Sequence, residues 1–380
     1  MSSIYPAVDP DGLLEYSVVF TDRSVNHMSQ LFQETMRGLS TGLRSVYHAE
    51  QIALVPGGGT FAMESVARQF CRHQRVHVLR NGWFSFRWSQ SFDAGVETTA
   101  VEVARAVADS DAADAQFVPA ELESFLRAIQ TDRPGCVIAP HVETSAGMLL
   151  PDETLKAIAD ATHAVGGLFI LDCVASGCLW VDMAETGVDV LITAPQKGWS
   201  SSPCAGVVLL SARAAERLDA TQSDSYALDL KKWRQIMAAY EQGGHAYHAT
   251  MPTDGLIQFY RNYQEMAAIG FAELKSRQIT LGQRMRGVLE AAGFKSLAGA
   301  GFQSPTVIVS HTDRDDFKNT QAFLAAGVQV AAGVPLECNE SAAFKTFRVG
   351  LFGVDKLMNI DRTVANFETA LSVVSQPSLA

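Results

Sequence analysis

Lys197 lies in Thr193-Ala194-Pro195-Gln196-Lys197-Gly198-Trp199, just past the apolar run Val188–Ile192. In a low-dielectric cleft a lysine loses affinity for its proton, and the neutral amine can form a Schiff base with a carbonyl. Most isolated lysines, by contrast, are solvated loop residues. Asp172 directly follows the apolar run Leu168–Leu171, which puts it at the carboxyl edge of a strand. There a carboxylate can keep a pyridine nitrogen protonated, so that the ring accepts electrons from a carbanion. A helix cap or plain loop aspartate is the commoner fate of such a residue. Gly57-Gly58-Gly59-Thr60 follows the run ending at Val55 and should open a helix at Phe61. Glycines let backbone N–H groups approach an anion, and a helix start adds partial positive charge. The turn lacks a nucleotide-loop lysine and dinucleotide spacing, so it suits one phosphate, though a plain tight turn is as common. Arg348 interrupts the apolar stretch Phe347-Arg348-Val349-Gly350, where its fork suits a substrate carboxylate or a structural ion pair. Should Arg348 prove structural, Arg87 near Phe84 is the next candidate anchor. A sheltered lysine, a ring-facing carboxylate and a single-phosphate turn together are what pyridoxal 5′-phosphate (PLP) requires.

These residues need a scaffold that gathers strand ends. Gln51–Val55, Arg75–Leu79, Cys136–Ala139, Leu168–Leu171, Val188–Ile192 and Gly206–Leu210 read as strands. Between several of them lie helical segments: Ala62–Cys71, Ala120–Gln130 and Asp152–Val165. The alternation predicts an α/β fold with a mostly parallel sheet, whose ligands gather beyond the strands' carboxyl ends. A long helix is expected over Thr253–Ala292, then a strand at Thr306–Ser310, a helix over Asp315–Ala326, a strand at Thr346–Gly350 and a helix from Asp355. The expected division is an N-terminal arm over 1–22, a large domain over 23–268 and a smaller α+β domain over 269–380.

With 380 residues, 47% hydrophobic and 19% charged, the chain can bury a sizeable core. Its net charge of −11 argues against a nucleic-acid partner. The six cysteines form no CxxC pair and no Cys/His cluster of zinc spacing, so no metal site is expected. Reduced thiols, a polar N-terminus and strand-length apolar runs predict a cytoplasmic protein without a membrane span.

Taken in order, the motifs resemble those of the class V aminotransferases of PLP fold type I. The likeness is nearest to the alanine–glyoxylate and serine–pyruvate group, with the 2-aminoethylphosphonate transaminases as near relatives. It runs from about Val55 to Gly353. It implies that Gly58, Gly59 and Thr60 hold the cofactor phosphate. Phe84, in Asn81-Gly82-Trp83-Phe84, would stack on the pyridine where the family usually has tryptophan; Trp83 is the alternative one residue away. His141-Val142-Glu143-Thr144-Ser145-Ala146-Gly147 resembles the family's H-x-E-T-S-T-G loop, so Thr144 would bond the phenolic oxygen. Asp172 and Val174 match the ring-nitrogen partner and a residue under the ring. Gln196 would reach the phosphate and Lys197 the Schiff-base carbon. Tyr247 and Thr250, in Tyr247-His248-Ala249-Thr250, match a segment that completes the neighbouring subunit's phosphate site, which implies a homodimer with shared sites. Arg348 matches the carboxylate-binding strand. Gly198-Trp199-Ser200-Ser201-Ser202-Pro203 departs from the family's K-x-L-x-x-P-P-G, and it places Trp199 beside the cofactor, where it bears on substrate choice.

The implied function is transfer of an amino group from a small amino acid to a 2-oxo acid such as pyruvate or glyoxylate, ping-pong through pyridoxamine phosphate. Lys197 would move the proton and Asp172 would support the ring. One rival is a PLP lyase or desulfurase, for which Cys338, in the loop Gly333–Glu340, is the candidate nucleophile. The other is a non-catalytic PLP-binding module.

Overall fold

The computed structural model describes residues 8–375. A seven-stranded sheet dominates it, built from β1 (Gln51–Pro56), β2 (Arg75–Arg80), β3 (Ala100–Arg105), β4 (Cys136–Pro140), β5 (Leu168–Asp172), β6 (Val190–Thr193) and β7 (Ala205–Leu210). Their spatial order is β1-β7-β6-β5-β4-β2-β3. Only β7 runs antiparallel to its neighbours. Every residue of β4, β5, β6 and β7 is buried. A parallel sheet covered by helices on both faces demands this, and it explains the continuous apolar runs in the sequence. The α/β class and mostly parallel sheet read from the sequence are therefore present.

The helices that matter to the site enter at strand ends. α1 (Gln30–Tyr47) was not expected from the sequence. Its apolar face nevertheless recurs at Phe32, Met36, Leu39, Leu43 and Tyr47, all buried. α2 (Gly59–Val66) starts two residues before the expected Phe61 and runs on into a wider π turn over Ala67–Cys71. α3 (Trp83–Asp93) follows β2.

The expected helix Thr253–Ala292 is two helices, α4 (Thr253–Ile269) and α5 (Phe271–Ala291). Gly270 separates them with φ of 101°, a conformation that ends an α-helix and that glycine adopts without steric cost. The expected helix Asp315–Ala326 is likewise two short turns of helix, Asp315–Lys318 and Gln321–Ala325, parted by Thr320 at φ 72°. The second sheet has order β8 (Val307–His311), β10 (Thr346–Gly350), β9 (Ala331–Ala332) and is wholly antiparallel. After β10 come α6 (Val354–Met358) and α7 (Ile360–Val374), again two helices where one was expected. Among the described residues no helix is long and apolar enough to cross a membrane, and no group of His, Cys, Asp or Glu could hold a metal ion.

Candidate active site

One cleft opens at the carboxyl ends of the central strands. Gly59, Thr60, Phe84, Thr144, Asp172, Val174, Gln196 and Lys197 all line it. Gly58 borders it, with a Cβ direction that points toward Gln196 Nε2.

Asp172 ends β5 and pairs in register with Pro140 of β4 and Ile192 of β6, so it sits in the middle of the sheet. Its Oδ1 accepts the Val174 N–H at 2.9 Å. Burial pushes its carboxyl up to about 6; the Val174 N–H opposes this, the Glu143 charge adds to it, and Lys197 and Arg87 oppose it. A cationic ring nitrogen placed against it would restore the ionised form. The His141 N–H donates to the Asp172 carbonyl, and its Nδ1 lies 2.7 Å from Ser176 Oγ. Burial drives the His141 ring down to about 3, so it is neutral and structural.

Lys197 follows β6 on a tight loop: the Ser200 N–H donates to its carbonyl and the Ser201 N–H to that of Pro195. Its Nζ stands 5.0 Å from the Phe352 ring centroid. Burial lowers its pKa first, the Arg348 charge lowers it further, Asp172 opposes, and Arg87 adds a smaller lowering. The amine is thus biased toward the neutral form that attacks carbonyls.

The anion corner is built on β1. Gly57 turns the chain with φ of 120°, and its N–H donates to the Cys204 carbonyl. A Cβ at Gly59 would fall 2.7 Å from Val174 Cγ2, so only glycine allows α2 to start against Val174. The Gln196 side-chain oxygen is buried without a hydrogen-bond partner. Among the described residues the Thr144 hydroxyl makes no hydrogen bond, although the residue is only 8% exposed. Unmet polar groups in a cleft wall beside a helix start fit a phosphorylated, polar-ringed cofactor. On this test the residues present fit PLP.

Phe84 lines the cleft, whereas Trp83 packs on Phe86 at 5.8 Å. What fixes Phe84 is Glu143, for which the sequence suggested no role. Fully buried, Glu143 accepts the N–H groups of Phe84, Ser85 and Ser145 and the hydroxyls of Ser85 and Ser145, at 2.7–3.2 Å. It caps the start of α3 from 59 residues away in sequence. An acid directly after the apolar Val142 and before the threonine and serine hydroxyls of Thr144-Ser145 was the available signal.

Arg348, on β10, donates through Nε to the Ala332 carbonyl at 2.8 Å, and its guanidinium carbon lies 5.6 Å from the Phe84 ring centroid. Among the described residues no carboxylate stands within ion-pair distance of it. Burial lowers its pKa, with the Glu143 charge partly opposing.

Two expectations are revised by geometry. Trp199 does not reach the cleft. It is fully buried, with ring centroids 4.7 Å from Trp180, 5.9 Å from Phe259 and about 6 Å from Tyr47, Tyr263 and Phe271. Its bulk fills the core behind the lysine loop and does not restrict substrate. Cys338 is no nucleophile in this cleft: it is 4% exposed, burial pushes its thiol up to about 12, and its Sγ donates to the Arg80 carbonyl at 3.4 Å. Tyr247 and Thr250, which the resemblance assigns to the neighbouring subunit's site, lie outside this chain's own cleft. They sit on an exposed loop, 3.2 Å apart between Tyr247 Oη and Thr250 Oγ1, and the Tyr247 ring lies 5.7 Å from His27.

Comparison with known proteins agrees with this arrangement. Residues 13–356 match the family Aminotransferase class-V. The 2-aminoethylphosphonate–pyruvate transaminase of Paraburkholderia phymatum is 29% identical over 85% of this chain and 84% of its own. The L-aspartate–glyoxylate aminotransferase of Paracoccus denitrificans is 25% identical over 72% of this chain and 67% of its own. The crystal structure of an alanine–glyoxylate aminotransferase from Nostoc sp. superposes with a TM-score of 0.77, at 23% identity, over 93% of this chain and 89% of that one. The family match, which spans the cleft and both sheets, shows that the chain belongs to the class V aminotransferases and is a PLP-dependent transaminase.

Proposed function

We propose that the enzyme carries an amino group from a small amino acid to pyruvate or glyoxylate, in two half-reactions at one cleft, with Lys197 as the Schiff-base and proton-carrying residue. When bound, PLP supplies the aldehyde that accepts the amino group and the ring that accepts an electron pair. Lys197 Nζ, desolvated and flanked by Arg348, would take and carry the proton of the substrate's α-carbon. Asp172 would hold positive charge at the ring nitrogen, and Phe84 and Val174 would pack against the ring. Gly58, Gly59, Thr60 and Gln196 would hold the phosphate, and Thr144 would donate to the phenolic oxygen. Arg348 receives the substrate carboxylate.

The observation that carries this reading is the pairing, in one cleft, of a half-buried lysine with a buried aspartate, beside an arginine that has no carboxylate partner among the described residues. The names of the relatives, which pair aminoethylphosphonate with pyruvate and aspartate with glyoxylate, support the choice of acceptors. We further infer a homodimer in which Tyr247 and Thr250 complete the partner's phosphate site, a cytoplasmic location, and a large domain over 23–268 joined to a small one over 269–380. The exposure of Tyr247 and Thr250 supports the first. The helix break at Gly270 supports the last.

The deciding experiment crosses a panel of amino donors with pyruvate and glyoxylate and measures initial rates. Parallel double-reciprocal lines are expected for a pair that shares one site in turn. If no donor transfers nitrogen to either oxo acid, while ammonia or sulfide is released from one of them, the reading is wrong.

A further inference from the structure

Arg87 stands one helical turn beyond Phe84 on α3 and lines the same cleft. Its guanidinium lies 4.7 Å from the Phe84 ring centroid, and Nη1 donates to Thr60 Oγ1 at 2.9 Å. That is the guanidinium's one hydrogen bond among the described residues, and no carboxylate there lies within ion-pair distance of it. A half-buried guanidinium has further donors, and it draws toward anions.

The bond to Thr60 fixes what the hydroxyl can do. A hydroxyl has one proton and two lone pairs. With a lone pair engaged by a cation, its proton is freed to donate elsewhere and is polarised to do so strongly. Thr60 is the second residue of α2, whose first N–H groups open toward the same corner. Charge points the same way. Two guanidiniums, Arg87 and Arg348, and two carboxylates, Asp172 and Glu143, act on this cleft around a Lys197 biased toward its neutral form. The charge in direct reach of Thr60 is that of Arg87.

We propose that Arg87 is a cofactor-binding residue: it turns the Thr60 hydroxyl toward the phosphate of PLP and balances the phosphate charge. On this assignment Arg87 is not a substrate-carboxylate anchor, and that role is left to Arg348. The assignment rests on the reading above in which the Gly58–Thr60 turn holds the phosphate.

The test compares PLP with pyridoxal, which lacks the phosphate, by equilibrium dialysis against the full-length protein stripped of cofactor. Wild type should prefer PLP strongly. Arg87→Met should weaken PLP binding about ten- to a hundredfold and leave pyridoxal binding unchanged. Thr60→Val should do part of the same, and the double variant should lose less than the product of the two single losses, since the residues act as a pair. Arg87→Lys, which keeps charge and stem packing but loses the fork, should fall between wild type and Arg87→Met, and it stands in if the methionine variant does not fold. Equal PLP affinity in the Arg87 variants and wild type overturns the assignment. So does an equal loss of PLP and pyridoxal, or an unchanged PLP affinity with a raised KM for donors that carry a second anion. If wild type itself binds PLP no better than pyridoxal, what fails is the underlying reading of the Gly58–Thr60 turn.

Discussion

The floor and the rim of the cleft are built on different terms. The floor, Asp172 and Lys197 at the ends of adjacent parallel strands, is closed within one chain. Asp172 has its Val174 N–H, the lysine loop is pinned by its own backbone bonds, and Trp199 packs the core behind it. The rim is left unfinished. Among the described residues Arg348 spends one donor on the Ala332 carbonyl and has no carboxylate within ion-pair distance, and the Thr144 hydroxyl makes no hydrogen bond; Tyr247 and Thr250, outside the cleft, stand exposed on a loop. On the proposed reading, the groups that do the chemistry are fixed by the sheet, whereas those assigned to cofactor, substrate or a second chain keep donors in reserve. Preorganised groups on rigid elements hold their geometry without binding energy. Rim groups act only once a ligand or partner arrives.

If the floor is the invariant part, its loss should be the most severe. Lys197→Ala is expected to cut turnover by at least about 10⁴-fold, since it removes both the nucleophile and the proton carrier. The PLP absorbance of a Schiff base should vanish, although cofactor can still be held without a covalent bond. Borohydride reduction of wild type followed by peptide mapping locates the label. A pyridoxyl group on a lysine other than Lys197 would overturn the assignment.

A rim residue should cost less and should divide differently between binding and turnover. Arg348→Ala is expected to raise KM for amino and oxo acids alike and to lower kcat/KM about a hundredfold, on the order of 3 kcal/mol for a lost charge-assisted bidentate contact. PLP occupancy should hardly change, because Arg348 is assigned to the substrate. Arg348→Lys should recover little. If cofactor is lost while KM stays normal, Arg348 belongs to the scaffold.

The same contrast explains what could be read in the sequence. Strand β5 and Asp172, or strand β6 and Lys197, are neighbours along the chain, so an apolar run followed by a polar residue announces them. The glycine turn before α2 is equally local. What failed was long-range. The orientation of Trp199 is set by Tyr47, Trp180, Phe259, Tyr263 and Phe271, which come from four other stretches of chain. Proximity to Lys197 in sequence suggested the cleft, but packing turned the ring the other way. Glu143 could be read as part of a loop, while its hold on Phe84 depends on α3 folding back beside it. The helix break at Gly270 did have a local sign, the glycine itself, which periodicity on both sides outweighed.

The partner's share in the rim should be smaller again. Tyr247→Phe or Thr250→Val is expected to weaken PLP binding roughly tenfold, the scale of one or two lost hydrogen bonds. Shared sites make a sharper demand. Lys197→Ala subunits mixed with subunits carrying Tyr247→Phe and Thr250→Val should form some sites with every intact residue. Activity at limiting PLP should then exceed that of either parent. A full-activity monomer at micromolar concentration would remove the partner from the rim altogether.

The smallest effect is expected at Cys338, which lies near Arg348 in sequence but is buried and does not line the cleft. Its Sγ donates to the carbonyls of Arg80 and Leu336, and its backbone N–H is held by Glu340 at 3.0 Å. With burial pushing the thiol up to about 12, almost no thiolate exists near neutral pH. A sulfur-transferring cysteine needs the opposite: exposure and a lowered pKa. Cys338→Ala should therefore leave kcat and KM within about twofold and cost about 1 kcal/mol of stability, the loss of a small buried side chain and weak donor. Alkylating reagents should reach Cys338 only as the protein unfolds. A fall in activity beyond tenfold with the fold intact, or rapid labelling blocked by substrate, would move residues 333–340 into the reacting site and revive sulfur chemistry for this cleft.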